Sequence, residues 1–76
     1  MKTIITEKEW RNEFSKNLKN QIKRNNITQE SLAELSKISR RSINKYTTGN
    51  ATPSSYHIAK LAKVLNCDLI DLIGSD

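Results

Sequence analysis

Residues 28–46 read TQESLAELSKISRRSINKY, and the spacing in this stretch sets the reading of everything around it. Taken as two short helices joined by a tight turn at Lys37-Ile38, the stretch places Leu32, Ala33, Ile38, Ile43 and Tyr46 on one side. Arg40, Arg41 and Lys45 collect in the second helix and, with Asn44, are left on the other side. Such a unit sets one face into a core and offers the other to an anionic groove. Leu32, Ala33 and Leu35 are expected on the inward side of the first helix. Ala33 is small enough to let two short helices cross closely, so a Leu there would overpack the crossing.

Working outward, one pattern recurs. A hydroxyl or carboxylate residue has an apolar residue before it and another four positions after it, which is an N-cap with a hydrophobic staple. It occurs at Ile5-Thr6-Trp10, Ile27-Thr28-Leu32, Ile38-Ser39-Ile43 and Cys67-Asp68-Leu72, with a weaker copy at Pro53-Ser54-Ile58. Five caps predict five helices, over about 7–25, 29–36, 40–47, 55–66 and 69–73. The first carries a stripe of Trp10, Phe14, Leu18 and Ile22 and stops at Asn25-Asn26, since Asn tolerates the left-handed conformation of a helix end. The fourth carries Ile58, Leu61, Ala62 and Leu65 at amphipathic spacing. Between the third and fourth, residues 47–53 form the one real loop, with Gly49 expected at positive φ and Pro53 setting the direction into the fourth helix. Thr48, Asn50 and Thr52, with free backbone N–H groups, suit this loop to phosphate contact. Gly74-Ser75-Asp76 is a tail.

Composition agrees with a single all-α domain spanning 1–76. The chain has 76 residues, 36% hydrophobic, with two Gly and one Pro, too little turn chemistry for a multi-stranded sheet. The net charge is +5, and its distribution matters more than its size. No acid lies between Leu35 and Cys67, while Lys37, Arg40, Arg41, Lys45, Lys60 and Lys63 do. A one-signed interval of this kind is either the footprint of a site for a polyanion or an ordinary solvated basic surface, and charge alone leaves both readings open. The lone Cys67 cannot form an intrachain disulfide, which fits a reducing cytoplasm. No apolar run approaches the ~20 residues of a membrane span, and MKTIITEKEW is not read as a signal peptide.

The residues from Gln29 onward resemble the helix-turn-helix of the phage-repressor family, the lambda-repressor-like or XRE-type domains. The resemblance rests on TQESLAEL at 28–35, ISR at 38–40, Ile43 with Tyr46, Gly49, Pro53-Ser54 and KLAKVL at 60–65, and covers roughly residues 14–73. Two positions depart from the family pattern: Lys37, where Gly is common in the turn, and Gln21, where an aliphatic residue is common. The resemblance implies a five-helix lambda-repressor-like DNA-binding domain with a central helix-turn-helix. It further implies that Gln29, with Thr28, binds phosphate at a helix N-terminus, that Arg40 and Arg41 reach base edges with Asn44 and Lys45 on the same face, and that Asn50 meets the sugar-phosphate chain. Ser39, Thr48 and Lys60 complete the expected phosphate-binding set. Arg suits a bidentate fork to guanine, and Lys45 can alternatively hold a phosphate as a point charge; which Arg reads a base is left open.

The implied function is sequence-specific binding of double-stranded DNA by a recognition helix over 40–47 in the major groove, as a transcriptional regulator of the phage-repressor type. The expected partner is a palindromic operator bound by a homodimer. Either the fifth helix and tail supply a small interface, or the chain is the N-terminal domain of a longer repressor. The alternative is an antitoxin-like module whose main partner is a protein, using the apolar faces of Trp10 and the fifth helix. An enzyme is not expected: one His, one Cys, no glycine-rich phosphate loop and no paired His/carboxylate spacing leave no catalytic constellation. No metal or cofactor site is expected either, and His57 reads as a surface or edge histidine.

Overall fold

The computed structural model describes residues 6–74. They form α1 (Glu7–Arg24), α2 (Gln29–Ser36), α3 (Arg40–Thr48), α4 (Ser55–Val64) and α5 (Leu69–Ile73), with no strand among the described residues. Ile5, half of the first staple, and the tail residues Ser75 and Asp76 lie outside them.

Each helix begins at the residue nominated by the staple pattern: Thr6, Thr28, Ser39, Ser54 and Asp68. In the first four, the cap hydroxyl accepts the backbone N–H of the residue three further on, Glu9, Ser31, Ser42 and His57, at 3.0–3.1 Å. Each such cap contributes about 1 kcal/mol. Glu9 completes a capping box by accepting the Thr6 N–H at 2.9 Å, and the Asp71 carboxylate accepts the Asp68 N–H at 3.0 Å.

Three of the linkers share one device. Asn26, Lys37 and Asn66 have φ of 55°, 62° and 53°, the positive-φ non-Gly residues among those described. Each is followed by an apolar residue that turns inward, Ile27, Ile38 or Cys67, and then by the next N-cap. After α1 and α4 the left-handed residue closes a Schellman stop: Ile27 N–H donates to Ile22 and Asn26 N–H to Lys23, as Cys67 does to Ala62 and Asn66 to Lys63. That stop ends α4 at Val64, two residues short of the expected Asn66. In the turn after α2, Ile38 N–H instead donates to the buried Ser36 hydroxyl at 3.3 Å.

Lys37 therefore holds a conformation that costs an L-residue roughly 1–2 kcal/mol. Lys37→Gly relieves this but loosens the unfolded chain by about 0.4–1 kcal/mol. The net expectation is a gain of about 0.5–1 kcal/mol, seen as a rise of a few degrees in the midpoint of thermal unfolding. A fall in the midpoint would contradict this account of the turn.

The core is Phe14 and Leu18 of α1, Leu32 of α2, Ile38 in the turn, Ile43 and Tyr46 of α3, Leu61, Ala62 and Leu65 around α4, and Leu72 of α5. Helix α1 packs on α3 and α5, α2 packs on α3 and α4, and α4 packs on α5. Helix α3 thus packs on both α1 and α2. Polar bonds reinforce the arrangement: the buried Ser15 hydroxyl donates to the Thr47 carbonyl, and half-buried Asn17 donates from Nδ2 to the Leu72 carbonyl at 2.9 Å.

Two expectations are corrected here. Leu35 is not inward; it is 63% exposed. Residues step about 100° around a helix, so Leu32 and Ser36 lie nearly in line and Ser36 completes the buried face, leaving Leu35 on the flank. Helix α3 also runs one residue past Thr47, because Thr48 keeps helical backbone and Gly49, at φ 75°, is the residue that turns the chain.

Candidate nucleic-acid interface

Helix α3 is a short rod of nine residues, about 14 Å long. Its buried line is Ile43, Tyr46 and Thr47. Arg41, Asn44, Lys45 and Thr48 recur at i, i+3, i+4 and i+7 on the opposite line, and all four are exposed. Among the described residues α3 packs chiefly against α1 and α2, and that line stays in solvent. The amphipathic sequence therefore produces a basic, polar ridge standing out from the domain.

Arg40 sits at the margin of the ridge. Its guanidinium lies 4.0 Å from the Glu30 carboxylate, with both side chains about two-thirds exposed, so this pair contributes little to stability. It does bring α2 and α3 together through opposite charges beside the outward face. Glu30 was not singled out by the sequence, because nothing in the spacing of 30 and 40 shows that the turn will fold them together.

The N-termini of α2 and α3 both face outward with their caps made. The Thr28 hydroxyl accepts the Ser31 N–H and donates to Ser31 Oγ, and Ser39 repeats this with Ser42. The α2 ladder begins with Leu32 N–H bonding Thr28 O, and the α3 ladder with Ile43 N–H bonding Ser39 O. The N–H groups of Gln29 and Glu30, and of Arg40 and Arg41, therefore remain outside their ladders, which is the arrangement that receives an anion.

At the other end of α3, the Thr48 hydroxyl donates to the carbonyls of Asn44 and Lys45, and Asn50 Nδ2 donates to Thr48 Oγ1 at 2.8 Å. Asn50 is thereby tied to the foot of the ridge. The loop is less open than expected, since the Gly49 and Asn50 N–H groups are consumed by the carbonyls of Tyr46 and Lys45. Thr52 turns away and donates to the Glu7 carboxylate at 2.7 Å. The ammonium of Lys60, another of the expected phosphate ligands, lies 4.8 Å from the centroid of the Tyr56 ring on α4.

A chain of rings fixes how α3 is presented. Trp10 stacks on Phe14 at 5.5 Å, Phe14 meets Tyr46 edge-on at 6.2 Å, and Tyr46 meets His57 edge-on at 5.8 Å. Tyr46 is buried, its hydroxyl hydrogen-bonded to His57 Nδ1 at 2.6 Å, and burial pushes the phenol above its ordinary pKa. His57 is accordingly half-buried and structural, linking α4 to α3. Tyr46→Phe is expected to lower stability by about 1 kcal/mol while leaving the ring contacts, measurable as a shifted urea midpoint with an unchanged slope.

No group of His, Cys, Asp and Glu suited to a metal is found among the described residues, and no described helix is long and apolar enough to cross a membrane. The Cys67 thiol is half-buried, and burial, then Asp71 and Asp68, push its pKa up.

No curated protein matches the chain. A family model described as helix-turn-helix matches residues 18–72. That interval runs from the second half of α1 through nearly all of α5, so it takes in the capped pair α2–α3, the left-handed turn between them and the supports on either side. With the fold all-helical and the basic ridge outward, this chain belongs to the XRE, lambda-repressor-like helix-turn-helix family of DNA-binding transcription regulators.

Proposed function

We propose that this domain regulates transcription as a phage-type repressor, laying α3 in the major groove of a palindromic operator as one of a pair of copies. The observation that carries this reading is the line Arg41–Asn44–Lys45, exposed along a rod whose opposite line is core. Arg40, Arg41, Asn44 and Lys45 are the base-reading set. Thr28, Gln29, Ser39, Thr48 and Asn50 fix the register on the phosphates, supported by the outward helix N-termini and by the Asn50–Thr48 bond.

Dimensions are compatible with pairing. The domain measures 35 × 21 × 20 Å, so two copies fit side by side at the 34–36 Å of one duplex turn. A binding selection on random duplex DNA at near-physiological salt tests the reading. The expected result is enrichment of a two-fold symmetric site with half-site centres one turn apart. Recovery of no preferred sequence would refute base reading by α3.

A further inference from the structure

Two departures from sequence rules lie close together at the end of α2. Leu35 is 63% exposed at the C-terminal end of α2. Two residues on, Lys37 occupies a left-handed conformation that Gly would hold at lower cost. With Ser36, Lys60, Lys63 and Val64 they line a small groove between α2 and α4, of about 210 Å³. Local rules are broken most often where a site is being built.

The groove has a defined chemistry. Leu35 and Val64 make its floor apolar, and Lys37, Lys60 and Lys63 stand around it. Among the described residues none of the three lysines is paired with a carboxylate in a salt bridge. Glu34, exposed on α2, is the acid adjacent in sequence. The volume is below that of a small-molecule pocket and suits one anchoring side chain.

We infer that this groove docks an acidic peptide segment of a partner protein, with a bulky apolar residue seated on Leu35 and Val64 and flanking carboxylates on Lys37 and Lys63. Charge complementarity selects the sign of the partner, and the exposed Leu35 selects a peptide over a bare phosphate chain, which has nothing apolar to set on it. Within α2 the groove lies at the end opposite Thr28 and Gln29, about 12 Å away, while Lys37 stands two residues before Ser39 of the proposed phosphate contacts. The domain thus carries a second, protein-directed surface beside its DNA-reading face.

The test is an anisotropy titration of the full chain with the labelled octapeptide DEDLFDED, with DEDSSDED as control. The expected result is binding of DEDLFDED that falls about tenfold in the control peptide and in Leu35→Ser, for loss of the apolar anchor. Lys63→Glu should weaken it by about three- to fivefold or more. Leu35 is exposed, so Leu35→Ser should keep its melting midpoint, and its affinity for duplex DNA should stay within about twofold. No binding of DEDLFDED, or equal binding by wild type and Leu35→Ser, would overturn the inference. So would a parallel loss of duplex affinity in Leu35→Ser, which would make DNA the occupant. Sedimentation showing that Leu35→Ser converts a dimer to a monomer would overturn it too, in favour of a second copy.

Discussion

Arg41→Ala is expected to weaken binding to a selected operator by about tenfold to a hundredfold per half-site, and to weaken binding to unrelated duplex by only a few-fold. Arg41 lies on the outermost line of α3 with Asn44 and Lys45, exposed and with no carboxylate beside it among the described residues. Its fork is therefore available for a base edge. Arg40 is differently placed: it shares its guanidinium with Glu30 at 4.0 Å, so Arg40→Ala should have the smaller effect on specificity. The two affinities must be compared at one salt concentration, because the phosphate contribution varies steeply with salt. If Arg41→Ala lowers every duplex alike and reduces the slope of log affinity against log salt by about 1, Arg41 grips the backbone and the base contact belongs elsewhere on the ridge.

Phe14→Ala should be the most damaging change to the scaffold, at about 3–5 kcal/mol. The ring is 1% exposed and lies between Trp10, parallel at 4°, and Tyr46, nearly perpendicular at 83°. Truncation removes two ring contacts and leaves a cavity where α1 meets α3. A domain of this length has about 4–11 kcal/mol of stability in all, so much of the population should unfold near physiological temperature. Phe14→Leu keeps most of the volume and should cost clearly less. Denaturant midpoints for the three proteins check the ordering. A loss under about 1 kcal/mol in Phe14→Ala would mean that the α1–α3 contact does not depend on this ring. DNA binding should fall with the folded fraction and recover when unfolding is suppressed by cooling, since Phe14 does not reach the outward face.

These expectations separate what is local from what is not. Helix starts were legible because an N-cap and its staple span six residues and satisfy backbone donors within that span. The stops at Asn26 and Gly49 were legible for the same reason: a left-handed residue is chosen by its own side chain, or by having none. The stop at Asn66 is an equally local device, yet the amphipathic stripe of α4 overran it. Arg41, Asn44 and Lys45 were legible as outward residues because Ile43 and Tyr46 fix the opposite side of the same rod.

Leu35 shows the limit of that reasoning. Its hydropathy argues for burial, but the line of α2 that meets α3 and α4 passes through Leu32 and Ser36, and only the packing of three helices selects that line. The Tyr46–His57 bond, the Ser15–Thr47 bond and the Glu30–Arg40 pair join residues 11, 32 and 10 positions apart. No periodicity encodes them, because they depend on how helices cross and how far each turn swings its neighbour. Residue order alone thus determined the five helices, their caps and the sign of the exposed face, all of which are set by interactions within one or two turns. The tertiary structure decided which apolar residue stays in water, which polar side chains lock α3 in place, and where three lysines gather around Leu35, because those follow from burial shared among segments distant in the chain.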